Sequence, residues 1–123
     1  MDKNEIIDLL ISSVHSDGKA QAILAQKIND KEIFSTILEI VETSESGDAR
    51  MEGAYWLSRS DIDIIKLYED RLLLLMNCDW NSVTVHIMIA LSRVKSQKAL
   101  DIIIHERIKP HLPWEAAALD NYL

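Results

Sequence analysis

Histidine and cysteine are the side chains best suited to metal binding or nucleophilic chemistry, and their spacing in this chain supports neither. None of the four histidines stands in a His-x3-His or His-Glu-x-x-His arrangement, the helical spacing that holds zinc. Cys78 precedes Asp79, whose negative charge disfavours the reactive thiolate. The three glycines are scattered and cannot form a phosphate-binding loop. We therefore expect no metal, no cofactor and no catalytic residue, and hence no enzyme.

Carboxylates are plentiful, and their excess over bases lies in the middle of the chain. Between Asp30 and Asp70, eleven acids oppose four bases, which accounts for the whole net charge of −7. Asp61 and Asp63 are two residues apart and do not face each other on a helix, so they do not suggest a catalytic pair. A negative segment argues against nucleic acid as a partner and favours encounter with a basic protein. The alternative explanation is that the charge serves solubility alone.

Aromatic side chains are the second group of candidate binding residues, because tyrosine and tryptophan are enriched at interface hot spots. Trp56 falls at a core position of a helix, so we assign it to the interior. Trp80 and Trp114 either cover an end of the core or contact a partner. The predicted partner-binding set combines the central acids with three aromatics: Glu45, Asp48, Glu52, Tyr55, Asp61, Asp63, Tyr68, Glu69, Asp70 and Trp80.

The elements that must position these residues are predicted to be helices throughout. The chain has 123 residues, 48% of them apolar, and only three glycines and two prolines, which favours one all-α domain. Apolar spacing predicts helices over residues 3–14, 19–28, 31–42, 49–59, 62–76, 82–94 and 97–108. The predicted N-caps are Asp2, Asp30, Asp48 and Ser96, and Gly18 is expected to provide a left-handed stop.

Three of these helices carry further expectations about packing. In the second helix, Ala22, Ile23 and Ala25 are expected to face inward. Gly53 lies inside a helix, where it costs about 1 kcal/mol relative to alanine, so we expect a neighbouring helix to approach closely there. Four consecutive leucines, residues 72–75, predict a helix that is buried on several sides or presents a leucine face to a second copy.

The chain also repeats itself. Leu57-Ser58-Arg59 and Leu91-Ser92-Arg93 are 34 residues apart, and each ends one amphipathic stretch and precedes another. A period of this size built from two helices is typical of stacked helical hairpins. We predict a short α-solenoid of about seven to eight antiparallel helices in a single domain, residues 1–123. The best-defined repeats span residues 30–109, followed by a tail at 110–123.

The pattern resembles HEAT and armadillo-type repeats over roughly residues 47–108. The resemblance rests on Gly47-Asp48-Ala49-Arg50, on Trp56-Leu57-Ser58-Arg59, and on Ala90-Leu91-Ser92-Arg93 with Val83 and Lys98-Ala99-Leu100 around it. At the inter-helix turn, where the pattern expects Asp or Arg, Asp61 fits in one copy and Ser96 stands in the other. Size, charge and repeat style also resemble small immunity proteins of bacterial contact-dependent growth inhibition. This resemblance implies a protein that binds and occludes a basic toxin domain, most often a nuclease.

Two further expectations concern location and alternatives. A lone cysteine, an N-terminus without a secretion signal and the absence of a long apolar run predict a cytoplasmic protein without a membrane partner. The rival function is a structural or adaptor subunit that acts through homo-oligomerisation or scaffold binding. A homodimer stays open in either case.

Overall fold

A computed structural model describes residues 1–77 and 81–105, and every regular element within these residues is helical. The all-α prediction is confirmed for this part of the chain. The helices are α1 (Lys3–Val14), α2 (Gly18–Lys27), α3 (Lys31–Thr43), α4 (Gly47–Ser58), α5 (Ile62–Leu67), α6 (Glu69–Leu74), α7 (Asn81–Arg93) and α8 (Gln97–His105), with a short 3-10 turn at Leu75–Asn77 between α6 and α7. The predicted end of the last helix and the tail at 110–123 lie outside the described residues.

Short polar side chains begin these helices, mostly where the sequence predicts. The carboxylates of Asp2 and Asp30 and the hydroxyl of Ser96 each accept a hydrogen bond from a backbone N–H in the following turn. The prediction for Asp48 is wrong, because the hydroxyl of Ser46 accepts from the Ala49 N–H and α4 begins one residue earlier. Asp48 lies inside the first turn, where its negative charge still complements the helix dipole.

The turn between α1 and α2 also differs from its prediction. Gly18 is the first residue of α2 and has no positive φ, whereas Ser16 adopts the left-handed conformation with φ 66°. The carboxylate of Asp17 accepts from the N–H groups of Lys19 and Ala20 and so caps α2. The residues of α2 and its C-cap that are buried are Ala20, Leu24 and Ile28, whereas Ala22 and Ala25 are exposed. The expectation for the inward face of α2 is therefore wrong for Ala22 and Ala25, whereas Ile23 is partly buried.

The central helix is α4, which packs most extensively against α1, α3 and α7. Gly53 explains how close these helices come: a Cβ added there would lie 2.8 Å from Val41 Cγ2 and 3.3 Å from Ile37 Cγ2, both on α3. The predicted close approach at Gly53 is confirmed. Trp56 is buried, as predicted for a core position.

The single helix predicted over 62–76 is broken into α5 and α6. Tyr68 lies between them with non-helical φ and ψ, and its ring stacks on Phe34 of α3 with centroids 5.0 Å apart. Leu72 and Leu75 are buried, but the side chain of Leu74 is 75% exposed. The expectation that the leucine run is buried on several sides is therefore wrong for Leu74.

Membrane association through a spanning helix has no support in the described part of the chain. None of α1 to α8, as far as they are described, is long and apolar enough to cross a bilayer.

Candidate functional site

The Leu-Ser pairs of the two Leu-Ser-Arg copies occupy similar buried positions near the ends of α4 and α7, whereas the two arginines differ in exposure. Leu57 and Leu91 are both fully buried. The buried hydroxyls of Ser58 and Ser92 each donate to the carbonyl three residues earlier in their own helix. Each serine thereby satisfies its polar group without leaving the core.

Arg93 joins the second copy to the first. Its Nη1 donates to the backbone carbonyls of Ser58 and Ser60, the latter at 2.8 Å. These carbonyls lie at the C-terminal end of α4, where the last turn of a helix leaves acceptors unpaired. The guanidinium therefore closes the end of α4, and its positive charge sits at the negative pole of the helix dipole.

A surface groove of about 440 Å³ opens beside this contact, and we call it the arginine groove. Its lining consists of Tyr55, Ser58, Arg59, His86, Ile89 and Arg93. Arg59 is exposed, and its guanidinium lies over the Tyr55 ring at 5.5 Å, a cation–π contact. None of the described residues that line the groove is a carboxylate, although the chain carries a net charge of −7.

Histidine contributes an uncharged edge to this groove. The ring of His86 meets Tyr55 edge-on, with centroids 5.6 Å apart. Burial lowers the pKa of His86, so the neutral imidazole prevails at physiological pH. Sequence reasoning selected Tyr55 and missed Arg59, His86 and Arg93. The repeat itself was the available signal, because it places an arginine after each buried Leu-Ser pair.

Three of the predicted acids lie together at the start of α4. Glu45 is exposed in the connection from α3, and Asp48 is exposed in the first turn. The His15 Nε2 lies 3.9 Å from an Asp48 oxygen, a long contact between exposed groups. Glu52 follows one turn later and is only partly exposed. Glu45 and Asp48 are thus the members of this group that offer a free surface.

Glu52 instead belongs to a hydrogen-bonded chain between α4 and α1. Trp56 Nε1 donates to Ser13 Oγ at 3.3 Å, and Ser13 Oγ donates to Glu52 Oε1 at 3.2 Å. Burial raises the pKa of Glu52 and outweighs the opposing effect of its hydrogen bonds. The geometry gives this carboxyl a structural role.

Glu52→Gln is expected to be more stable than the wild-type protein at neutral pH. Because the folded protein raises the pKa of Glu52, the contribution of this residue to stability is fully present below the ordinary glutamate pKa of about 4.3 and is lost as the pH rises through the folded-state value. Glutamine keeps the acceptor for Ser13 without the charge. Urea unfolding from pH 4 to 7 checks the difference, which should grow with pH.

Glu45→Gln removes the same charge from an exposed position and controls for net charge. A stability difference between Glu52→Gln and wild type that stays constant with pH would contradict the assignment.

The remaining acids lie beyond the other end of α4. The Asp61 N–H donates to Asn29 Oδ1 at 2.8 Å, while its exposed carboxylate makes no capping bond. Asp63 is exposed in the first turn of α5. Asp70 accepts from Lys98 Nζ at 3.1 Å, and this hydrogen bond raises the pKa of Lys98. Glu69 is partly exposed beside it.

The predicted set is therefore not one cluster. The twelve residues of α4 place Glu45 and Asp61 at opposite ends of a helix roughly 18 Å long. Tyr55 lines the arginine groove, whereas Tyr68 packs on Phe34. Trp80 lies outside the described residues.

Comparison with known proteins identifies no relative. No family model, no curated protein and no solved structure matches this chain. Among the described histidine, cysteine and acidic side chains, no group of three is placed to hold a metal ion.

Proposed function

We propose that this chain is a helical-repeat protein that acts by binding another protein. The observation that supports repeats is the shared burial and hydrogen bonding of the Leu-Ser pairs in the two copies. Contacts between helices support stacking of HEAT-like hairpins: Arg71 of α6 pairs with Glu42 of α3, and Asp70 of α6 pairs with Lys98 of α8. Arg93 of α7 donates to the backbone carbonyl of Ser58 in α4. These contacts suit one layer of α3, α6 and α8 beside a second of α4 and α7, as in a short solenoid.

The proposed partner is a basic protein domain, most plausibly a toxin nuclease that this chain neutralises as an immunity protein. The observation that carries this is that three of the predicted acids, Glu45, Asp61 and Asp63, remain exposed and outside any ion pair made by the described residues. Such carboxylates would meet the lysines and arginines with which a nuclease holds its substrate. The contact would occlude that surface. The opposite charges would raise the association rate more than the affinity.

Reversing the exposed acids tests this mechanism. The variants Glu45→Lys/Asp48→Lys and Asp61→Lys/Asp63→Lys change the two ends of α4 separately. Reversal of the two acids at the end of α4 that contacts the partner is expected to weaken binding roughly tenfold or more, because a like charge then replaces an attractive one. Binding is measured with the protein captured by the tagged chain from its own cells and identified by mass spectrometry.

Protection is the second measurement in this experiment. Expression of the captured protein should arrest growth, and co-expression of the wild-type chain should restore it. Glu5→Lys/Asp8→Lys carries the same charge change on exposed positions of α1 and should bind and protect normally. If both acid pairs can be reversed without loss of protection, the charge mechanism is overturned.

A structural or adaptor subunit is the second proposal, favoured by exposed apolar side chains on α5 and α6. Ile62, Leu67 and Leu74 are 42%, 62% and 75% exposed. Side chains of this type on neighbouring segments are often covered in an assembly. Sedimentation of the purified chain separates the proposals, because a large obligate oligomer without any toxic partner favours the adaptor.

A further inference from the structure

The arginine groove lies beside a segment of opposite character, Asp61-Ile62-Asp63. Both carboxylates are exposed, and the ion pairs within the described ranges include neither of them. Ile62 between them is 42% exposed at the very start of α5. The segment thus presents an apolar side chain flanked by two free negative charges.

The groove and this segment are connected through the backbone of Ser60. Arg93 lines the groove and donates to the carbonyl of Ser60, the residue that directly precedes Asp61. Yet neither Arg59 nor Arg93 forms an ion pair with Asp61 or Asp63 within the chain. The two arginines and the two aspartates are therefore close in the chain fold but form no direct ion pair with each other.

A surface that combines a basic groove with an acidic segment is complementary to a second copy of itself rotated by 180°. In a two-fold symmetric interface each copy offers the same patch, so the acidic half of one meets the basic half of the other. The composition also fits, because tyrosine and arginine are the side chains enriched where interfaces are strongest.

We propose that two copies of this chain pair through this patch. The segment Asp61-Ile62-Asp63 of each copy enters the arginine groove of the other. Its carboxylates face the guanidinium of Arg59 and the charge of Arg93, and Ile62 packs against the apolar parts of the groove, the Tyr55 ring and Ile89. Glu45 and Asp48 lie at the opposite end of α4. The pairing uses Asp61 and Asp63, so a basic partner of the paired chains would meet Glu45 and Asp48 instead, and the pairing is measured in the absence of such a partner.

A reciprocal charge exchange tests the pairing. Sedimentation equilibrium of the wild-type chain is expected to give twice the 14.0 kDa mass of one chain. Arg59→Glu alone places acids against acids, and Asp63→Lys alone places bases against bases, so each variant is expected to sediment as a single chain. An equimolar mixture restores opposite charges at both contacts of the two-fold pair and should return to the mass of two chains. Native mass spectrometry should show one copy of each variant per dimer.

Matched changes elsewhere control for net charge. Lys19→Glu and Asp8→Lys carry the same changes on exposed positions of α2 and α1, and both should remain dimeric. Recovery in the mixture also excludes unfolding as the reason that the single variants dissociate. The proposal is overturned if the wild-type chain sediments as a monomer, if Arg59→Glu or Asp63→Lys alone stays dimeric, or if the mixture of the two remains monomeric.

Discussion

Leu57→Ala and Leu91→Ala are each expected to lower the free energy of unfolding by about 2–5 kcal/mol. Both leucines are fully buried, and each lies in the helix pair with the most extensive contact, α4 with α7. Truncation removes three carbons from a packed interior and leaves a cavity that the flanking helices only partly fill. Urea unfolding by linear extrapolation gives both values with the same reference state.

The prediction also tests whether the two copies are structurally equivalent. Because both leucines are fully buried, structurally equivalent positions should show losses of similar size. Leu74→Ala is the control, because its side chain is 75% exposed and the same truncation should change stability by no more than about 0.5 kcal/mol. A cost below about 1 kcal/mol at either Leu57 or Leu91 would contradict the equivalence.

Local sequence signals were sufficient to predict most helices and several of their ends. Apolar spacing and a short polar side chain at the start are properties of one segment, and they identified Asp2, Asp30 and Ser96 as caps. The same signals selected Asp48, whereas Ser46, two residues earlier, caps α4. The choice between them depends on where α3 ends and how α4 must start to pack.

Tertiary contacts account for the features that periodicity missed. The interruption at Tyr68 accompanies its ring stack on Phe34, a residue 34 positions earlier in the chain. Four leucines in a row carry no information about which of them face inward. The packing of α6 shows that Leu72 and Leu75 are buried and that Leu74 is exposed.

The candidate binding residues were less predictable for a similar reason. Counting acids along the chain located the negative segment, but it could not show which of them are paired. Glu42 and Asp70 have partners on other helices, Arg71 and Lys98, whereas Asp61 has no such partner among the described residues. The arginine groove exists only because α4 and α7 lie side by side, so no single stretch of sequence contains it.

Gly53→Val is expected to destabilise the protein by about 3 kcal/mol, the upper end of the usual cost of overpacking a core. Even the first added carbon would lie 2.8 Å from Val41 Cγ2, closer than real side chains approach, and the branch adds two more atoms against α3. Gly53→Ala should cost less, because the gain of about 1 kcal/mol in helix propensity opposes the clash. Gly18→Ala is the control: its added carbon meets nothing within 4 Å, so the substitution should be neutral or stabilising.

Val41→Ala tests whether the clash with Val41 causes the destabilisation by a side chain at position 53. It removes the Cγ2 atom that the new side chain would strike, so Val41→Ala should cost less in the Gly53→Ala background than in the wild-type protein. The expected coupling between the two sites is about 0.5–3 kcal/mol, measured by a double-mutant cycle in urea. If the effects of Val41→Ala and Gly53→Ala were strictly additive, the destabilisation by a side chain at position 53 would arise within α4 itself. That result would argue against the close approach of α3.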